Sequence, residues 1–75
     1  MKIEYDDKYD LLYLRFDDSQ HEVINRRVSE NIVLDIGENG KIVGIEILDA
    51  MDVINLSNIL PINFFNTRKE QIVGI

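Results

Sequence analysis

An antiparallel sheet with a helix packed on one face, a small α+β domain, is the fold class this sequence predicts, and three observations predict it. Two β-branched runs, Asn31 to Glu38 and Lys41 to Leu48, flank Asn39-Gly40. Asn-Gly between such runs signals a hairpin, because a type I′ turn needs positive φ at both central residues. An earlier pair of β-rich segments flanks a run of turn-forming residues, Asp7 to Asp10. Apolar residues at helical spacing follow the second hairpin and stop before Pro61. The expectation is about four or five strands, built from two β-hairpins over residues 2–48, then one C-terminal helix over about 50–60 and a tail from 61 to 75.

In the first hairpin, Lys2 to Asp6 alternates polar and apolar residues with the period of a half-buried strand. Leu11 to Asp17 is rich in β-formers. A four-residue loop over Asp7 to Asp10 sets Tyr5 opposite Leu12 and Ile3 opposite Leu14, on one face with Phe16, while Glu4, Tyr13 and Arg15 point the other way. Asp17 to Gln20 is turn-like, and Glu22 to Val28 reads as a short third strand of mixed pattern. In the second hairpin a two-residue loop pairs Ile36 with Val43, Leu34 with Ile45 and Ile32 with Ile47. Gly44 then faces Asp35, and Val33 faces Glu46. A one-residue slip would move a whole apolar set to the wrong face, so this register is strongly specified.

Asp49 is placed to cap the helix, whose stripe is Met51, Val53, Ile54, Leu56 and Leu60. Pro61 disfavours helical geometry at Leu60. In the tail, Ile62 to Asn66 has no clean period, Thr67-Arg68-Lys69-Glu70 reads as a capping box, and Gln71 to Ile75 reads either as a strand or as a frayed end. The predicted inner face collects Ile3, Tyr5, Leu12, Leu14, Phe16, Ile32, Leu34, Ile36, Val43, Ile45 and Ile47. A helix roughly 16 Å long and about 10 Å across covers only part of a sheet roughly 14–19 Å wide. The tail or a second subunit is expected over the remainder.

Composition narrows the function. The 75 residues leave room for one domain, and the chain has no cysteine. That excludes disulfides, thiolate metal sites and cysteine nucleophiles. A core this small usually needs a further staple, and with disulfides and metal set aside, self-association remains; a homo-oligomer, a dimer first, is expected. Eight basic against fourteen acidic residues give a net charge of −6. Nucleic-acid binding draws on Lys and Arg against phosphates, so neither nucleic acid nor an anionic membrane is an expected partner. With no apolar run of membrane-spanning length and no leader-like N-terminus, the expected location is the cytoplasm.

Tyr5-Asp6, Asp10 and Leu12-Tyr13-Leu14-Arg15, followed by Val33-Leu34-Asp35 and the run Gly40 to Ala50, resemble a small prokaryotic family, domain of unknown function 2283. The run Gly44-Ile45-Glu46-Ile47-Leu48-Asp49-Ala50 is the most specific part. The resemblance covers about residues 3 to 54. Leu11 stands where a small residue is expected, and residues 55 to 75 have no counterpart. The resemblance implies a compact α+β domain from bacteria or archaea, with no catalytic residue. Family members often occur beside small toxin-like genes, which implies an antitoxin-like or accessory role.

His21, the one histidine, sits in a polar loop without an orienting partner or further ligands, and reads as a solvated loop residue. Asp6-Asp7-Asp10 and Asp17-Asp18 are carboxylate clusters, but they lie at opposite ends of the second strand and read as turn chemistry. No metal site and no cofactor is expected. Tyr13, Arg15, Asp35 and Glu46 form a candidate ligand face, with Gly44 leaving a dent among them. The competing reading is a solvated sheet face whose charges offset one another. No nucleophile with an adjacent base and no phosphate-binding loop is visible, so catalysis is not expected. Ile62, Phe64 and Phe65 are a candidate interface, or fold back on the sheet. The function expected is therefore a non-catalytic protein-interaction module, and the alternative is a small-molecule or metal binder using the polar face.

Overall fold

Alternating side chains build the sheet as a computed structural model of the chain, which describes residues 1–19, 22–68 and the backbone of 71–72. Strand β1 (Lys2–Asp6) pairs antiparallel with β2 (Leu11–Arg15), setting Ile3 against Leu14 and Tyr5 against Leu12 as the alternation requires. Strand β3 (Val23–Arg27) pairs with β4 (Ile32–Gly37), and β4 with β5 (Ile42–Leu48), all antiparallel. The spatial order is β1-β2-β5-β4-β3. Strands β2 and β5 thus join the two hairpins, and the third strand closes the far edge.

The second hairpin keeps its predicted register from Ile32–Ile47 through Asp35–Gly44 and then departs from it. Ile36 pairs with Ile42, not Val43, because a bulge makes Val43 an extra residue on β5. The loop is correspondingly longer than a two-residue turn. Gly40 N–H donates to Gly37 O at 3.0 Å, Gly37 N–H donates to Lys41 O at 2.8 Å, and Gly40 alone of the Asn-Gly pair has positive φ, at 79°. This is a three-residue connection with glycine in the left-handed position. Asn39 acts through its side chain, accepting the Lys41 N–H at 3.1 Å. The bulge also has a use: the Val43 carbonyl accepts the N–H groups of Phe16 and Asp17, fixing the end of β2.

The helix departs furthest from expectation. It is one turn, α1 (Ala50–Val53), in mid-chain, followed by extended Ile54 and a 3-10 turn at Leu56–Asn58. The Asp49 side chain does not cap it; Asp49 has φ 52° and makes no side-chain capping bond. The cap comes from the first hairpin. Asp10 accepts the Met51 N–H on its carboxylate at 3.1 and 3.2 Å and the Ala50 N–H on its carbonyl at 3.0 Å. Beyond Val53, side chains bond one another locally, Ser57 Oγ to Asn55 Oδ1 at 2.6 Å, the competition that makes Asn and Ser poor helix interiors. In the tail, β6 (Phe65–Asn66) pairs with β7 (Gln71–Ile72), and Thr67 and Arg68 form a turn; Lys69 and Glu70, the other half of the expected capping box, lie outside the described residues.

Shortening the helix shrinks the core. Among the described residues only Leu12, Val43, Ile47 and Ala50 are buried apolar side chains. Ile3, Leu14, Ile45, Ile54, Leu56 and Ile59 pack around Leu12, Ile47 and Ala50. Tyr5 and Phe16, expected inside, are exposed, as are Met51, Val53 and Leu60 of the expected stripe. The molecule is a slab of 37 × 33 × 19 Å. No helix among the described residues is long and apolar enough to cross a membrane.

Candidate functional site

The face of the sheet turned away from α1 is polar because most of the alternate residues on it are. Adjacent rows across it read Glu4, Tyr13, Glu46, Val33, Arg27 and Lys2, Arg15, Gly44, Asp35, Asn25. The four candidate residues Tyr13, Arg15, Asp35 and Glu46 therefore share one face, drawn from three central strands. They line a shallow depression of about 460 Å³. Asn25 lines it too. Sequence reasoning missed that residue because the mixed pattern of Glu22 to Val28 hid the β3 register; its polar side opposite Asp35 is the signal that identifies it.

Tyr13 organises the site. Its hydroxyl donates to Asp35 Oδ2 at 2.7 Å, reaching diagonally across β5. The reach requires Gly44, since a Cβ there would stand 2.5 Å from the Tyr13 hydroxyl oxygen and 2.8 Å from its ring. The dent expected at Gly44 is thus occupied by the Tyr13 ring. Burial and the bond to Asp35 push the Tyr13 phenol above its ordinary range. Arg15 lies over the same ring, its guanidinium carbon 5.1 Å from the centroid. Its Nε stands 3.5 Å from Asp18, close enough for Coulomb attraction but not for a well-formed hydrogen bond, and has no other acceptor.

Asp35 is 6% exposed, and its Oδ1 meets no donor. Glu46 is its diagonal neighbour on β5. Burial, then hydrogen bonding and repulsion from Asp35, raise the Glu46 carboxyl above the usual carboxylate range.

The acidic turns do local work. Asp6 accepts the N–H groups of Lys8 and Tyr9, and Asp17 accepts the N–H and the hydroxyl of Ser19. They sit at opposite ends of β2. Among the described residues no three His, Cys, Asp or Glu side chains converge on a metal position. His21 lies outside the described residues. Ile62 is half-buried, while Phe64 and Phe65 are exposed at the small hairpin.

A family model, that of DUF2283, Protein of unknown function, matches residues 2–50. That span holds the whole five-stranded sheet and all four candidate residues, and stops where α1 begins. No curated protein and no solved structure matches this chain.

Proposed function

This chain belongs to the DUF2283 family, a membership that carries no activity with it, and we propose that it is a non-catalytic protein-interaction module working as a homodimer. One observation carries the reading. The apolar face of the sheet is packed over β1, β2 and β5, while Ile24 on the β3 edge is 70% exposed. Ile24 lies opposite Ile36, and both line a depression of about 610 Å³ together with Glu22 and Glu38. Arg26 shares that face two residues along, opposite Leu34.

A patch with an apolar middle, carboxylates at one end and a guanidinium at the other is self-complementary under a two-fold axis. A second copy laid on it antiparallel sets Arg26 of each chain toward the carboxylates of the other. It also adds the layer that a one-sided sheet lacks. Each exposed isoleucine fully buried this way contributes about 1.5–3 kcal/mol. In this reading the dimer is an antitoxin-like or accessory subunit. Its charge of −6 per chain steers it to a basic partner.

Sedimentation equilibrium on the full chain tests the proposal. The expected mass is twice the 8.7 kDa of one chain. Ile24→Lys should return a monomer with an unchanged circular dichroism spectrum. A monomer at every micromolar concentration in the unmodified protein would overturn it.

A further inference from the structure

Asp35 is the buried charge among the described residues, and half of it is unanswered. Its Oδ2 takes the Tyr13 hydroxyl, while Oδ1 is shut off from solvent and has no donor. A buried acceptor without a hydrogen costs free energy, so the fold favours any neighbour that can bring one. Backbone N–H groups point along the ladder to the next strand, not up to the side chains. Asn25 faces Asp35 directly from β3 but makes no bond to Oδ1. Arg15 is drawn to Asp18 and the Tyr13 ring, and Arg27 donates to the Glu30 carbonyl at 2.7 Å. Lys2 stands on β1, at the far edge of the sheet. Glu46 remains, the diagonal neighbour on β5, lining the same depression. As a carboxylate it has no hydrogen to give; as a carboxylic acid it has one.

We propose that Glu46 in its acid form donates its proton to Asp35 Oδ1, closing a clasp from Tyr13 through Asp35 to Glu46 that opens when Glu46 ionises. The clasp ties together β2, β4 and β5, the three central strands. It needs no ligand and no free space, because only a proton comes and goes. Opening follows from charge. Ionised Glu46 is a second carboxylate beside a buried one, and like charges held this close repel. Glu46 is half-buried, so its side chain turns out to solvent. Asp35, anchored by the Tyr13 hydroxyl, stays behind without its donor.

The electrostatics of the face agree with this geometry. Burial, the bond to Asp35 and its charge all raise the Glu46 carboxyl above the ordinary range. On this face Glu46 shares the sheet with Lys2, Glu4 and Asp6 from β1, Tyr13 and Arg15 from β2, Asp35 from β4 and Arg27 from β3. Both guanidiniums are engaged elsewhere, so Asp35 is the charge that governs Glu46. Folded Glu46 therefore keeps its proton at a pH where the unfolded chain, titrating at 4.5, has released it. The clasp's contribution to stability is whole below that value and is lost as pH rises through the higher folded midpoint. Each pH unit between the two midpoints weakens the folding equilibrium tenfold across the window.

The test follows the Glu46 side-chain carboxyl carbon by NMR in the full chain between about pH 3 and about pH 8, with urea unfolding at each pH. The Glu46 midpoint is expected above 4.5, and the Tyr13, Asp35 and Gly44 amides should shift with the same midpoint. Glu46→Gln carries a permanent N–H donor at a half-buried position, so its clasp should stay closed at every pH. Its stability relative to the unmodified chain should grow as pH rises through the Glu46 midpoint, and the linked amide shifts should vanish. A Glu46 midpoint at or below 4.5 would overturn the proposal. So would neighbouring amides that do not move with Glu46, or a Glu46→Gln stability profile parallel to that of the unmodified chain. The clasp lies on the opposite face from Ile24, so Ile24→Lys should leave the midpoint unchanged whatever becomes of the dimer.

Discussion

Gly44 matters for what it lacks. Nothing in its backbone requires glycine, yet the Tyr13 side chain lies where a Cβ would be, 2.5 to 2.9 Å from the nearest atoms. Gly44→Ala should therefore force Tyr13 off Asp35, a steric cost of roughly 1–3 kcal/mol, read as a lower urea midpoint. With Tyr13→Leu already present the alanine should cost less than in the unmodified chain, because residues in contact do not add. Strict additivity would mean that the ring is not what the methyl meets. Tyr5 offers a second reading at this scale. Its hydroxyl donates to Asp10 at 2.7 Å, and that bond, with burial and nearby carboxylates, pushes the phenol up to about 12 from 10.0. Between those values the folded chain holds a proton that the unfolded chain has lost, so stability falls as pH rises. The bond's contribution is complete below pH 10.0 and gone above about 12. Tyr5→Phe should flatten the stability profile in that window and remove a phenol ionising at about 12 from an ultraviolet titration. An unchanged titration would sink the assignment.

Individual elements hold together through Asp10. It sits at φ 52° in the first turn, accepts the Tyr5 hydroxyl, and caps α1 from across the sheet. Asp49, next to the helix and also at φ 52°, caps nothing with its side chain. Asp10→Ala should cost about 1–2 kcal/mol for the lost cap, and more with its left-handed φ. Asp49→Ala carries the conformational part and a long 3.5 Å contact from the Asn31 amide, and Asp49→Gly, which relieves the left-handed φ, should cost less than the alanine. Chemical denaturation of the three variants ranks them, and Asp49→Ala proving the worse of the two alanines would contradict the cap. This contact also shows where the sequence stops being legible. The β1–β2 register and most of the β4–β5 register follow from alternation, because a slipped strand exposes its whole apolar side. The four polar candidates share a face for the same reason. A cap supplied by a residue some forty positions away leaves no local pattern. The Val43 bulge is equally hidden: it reconciles the three-residue loop at the Asn39-Gly40 corner with the inner register, and its carbonyl serves β2, a strand far away in sequence. The helix stops short because only Ile54 and Leu56 of the apolar stripe pack on the core, while Met51, Val53 and Leu60 stay exposed and Asn55 and Ser57 bond each other through their side chains.

At the scale of the whole molecule, shape and surface point the same way. A compact chain of this length has a radius of gyration of about 11 Å, against 13.8 Å here. The excess reflects one covered layer, spread 37 × 33 Å and only 19 Å deep, with Ile24, Val28, Ile42, Phe64 and Phe65 exposed. If a second copy completes the core, folding and association are one equilibrium, and the melting temperature must depend on protein concentration. A tenfold rise in concentration contributes about 1.4 kcal/mol per dimer. For two chains of this size unfolding together, that shifts the melting temperature by about 3–6 °C. Ile24→Lys should abolish the dependence and melt near the dilute limit of the unmodified protein. Calorimetry over two decades of concentration decides it: a melting temperature that stays level in the unmodified chain means that the slab is stable by itself and the bare half of its sheet serves something other than a second copy.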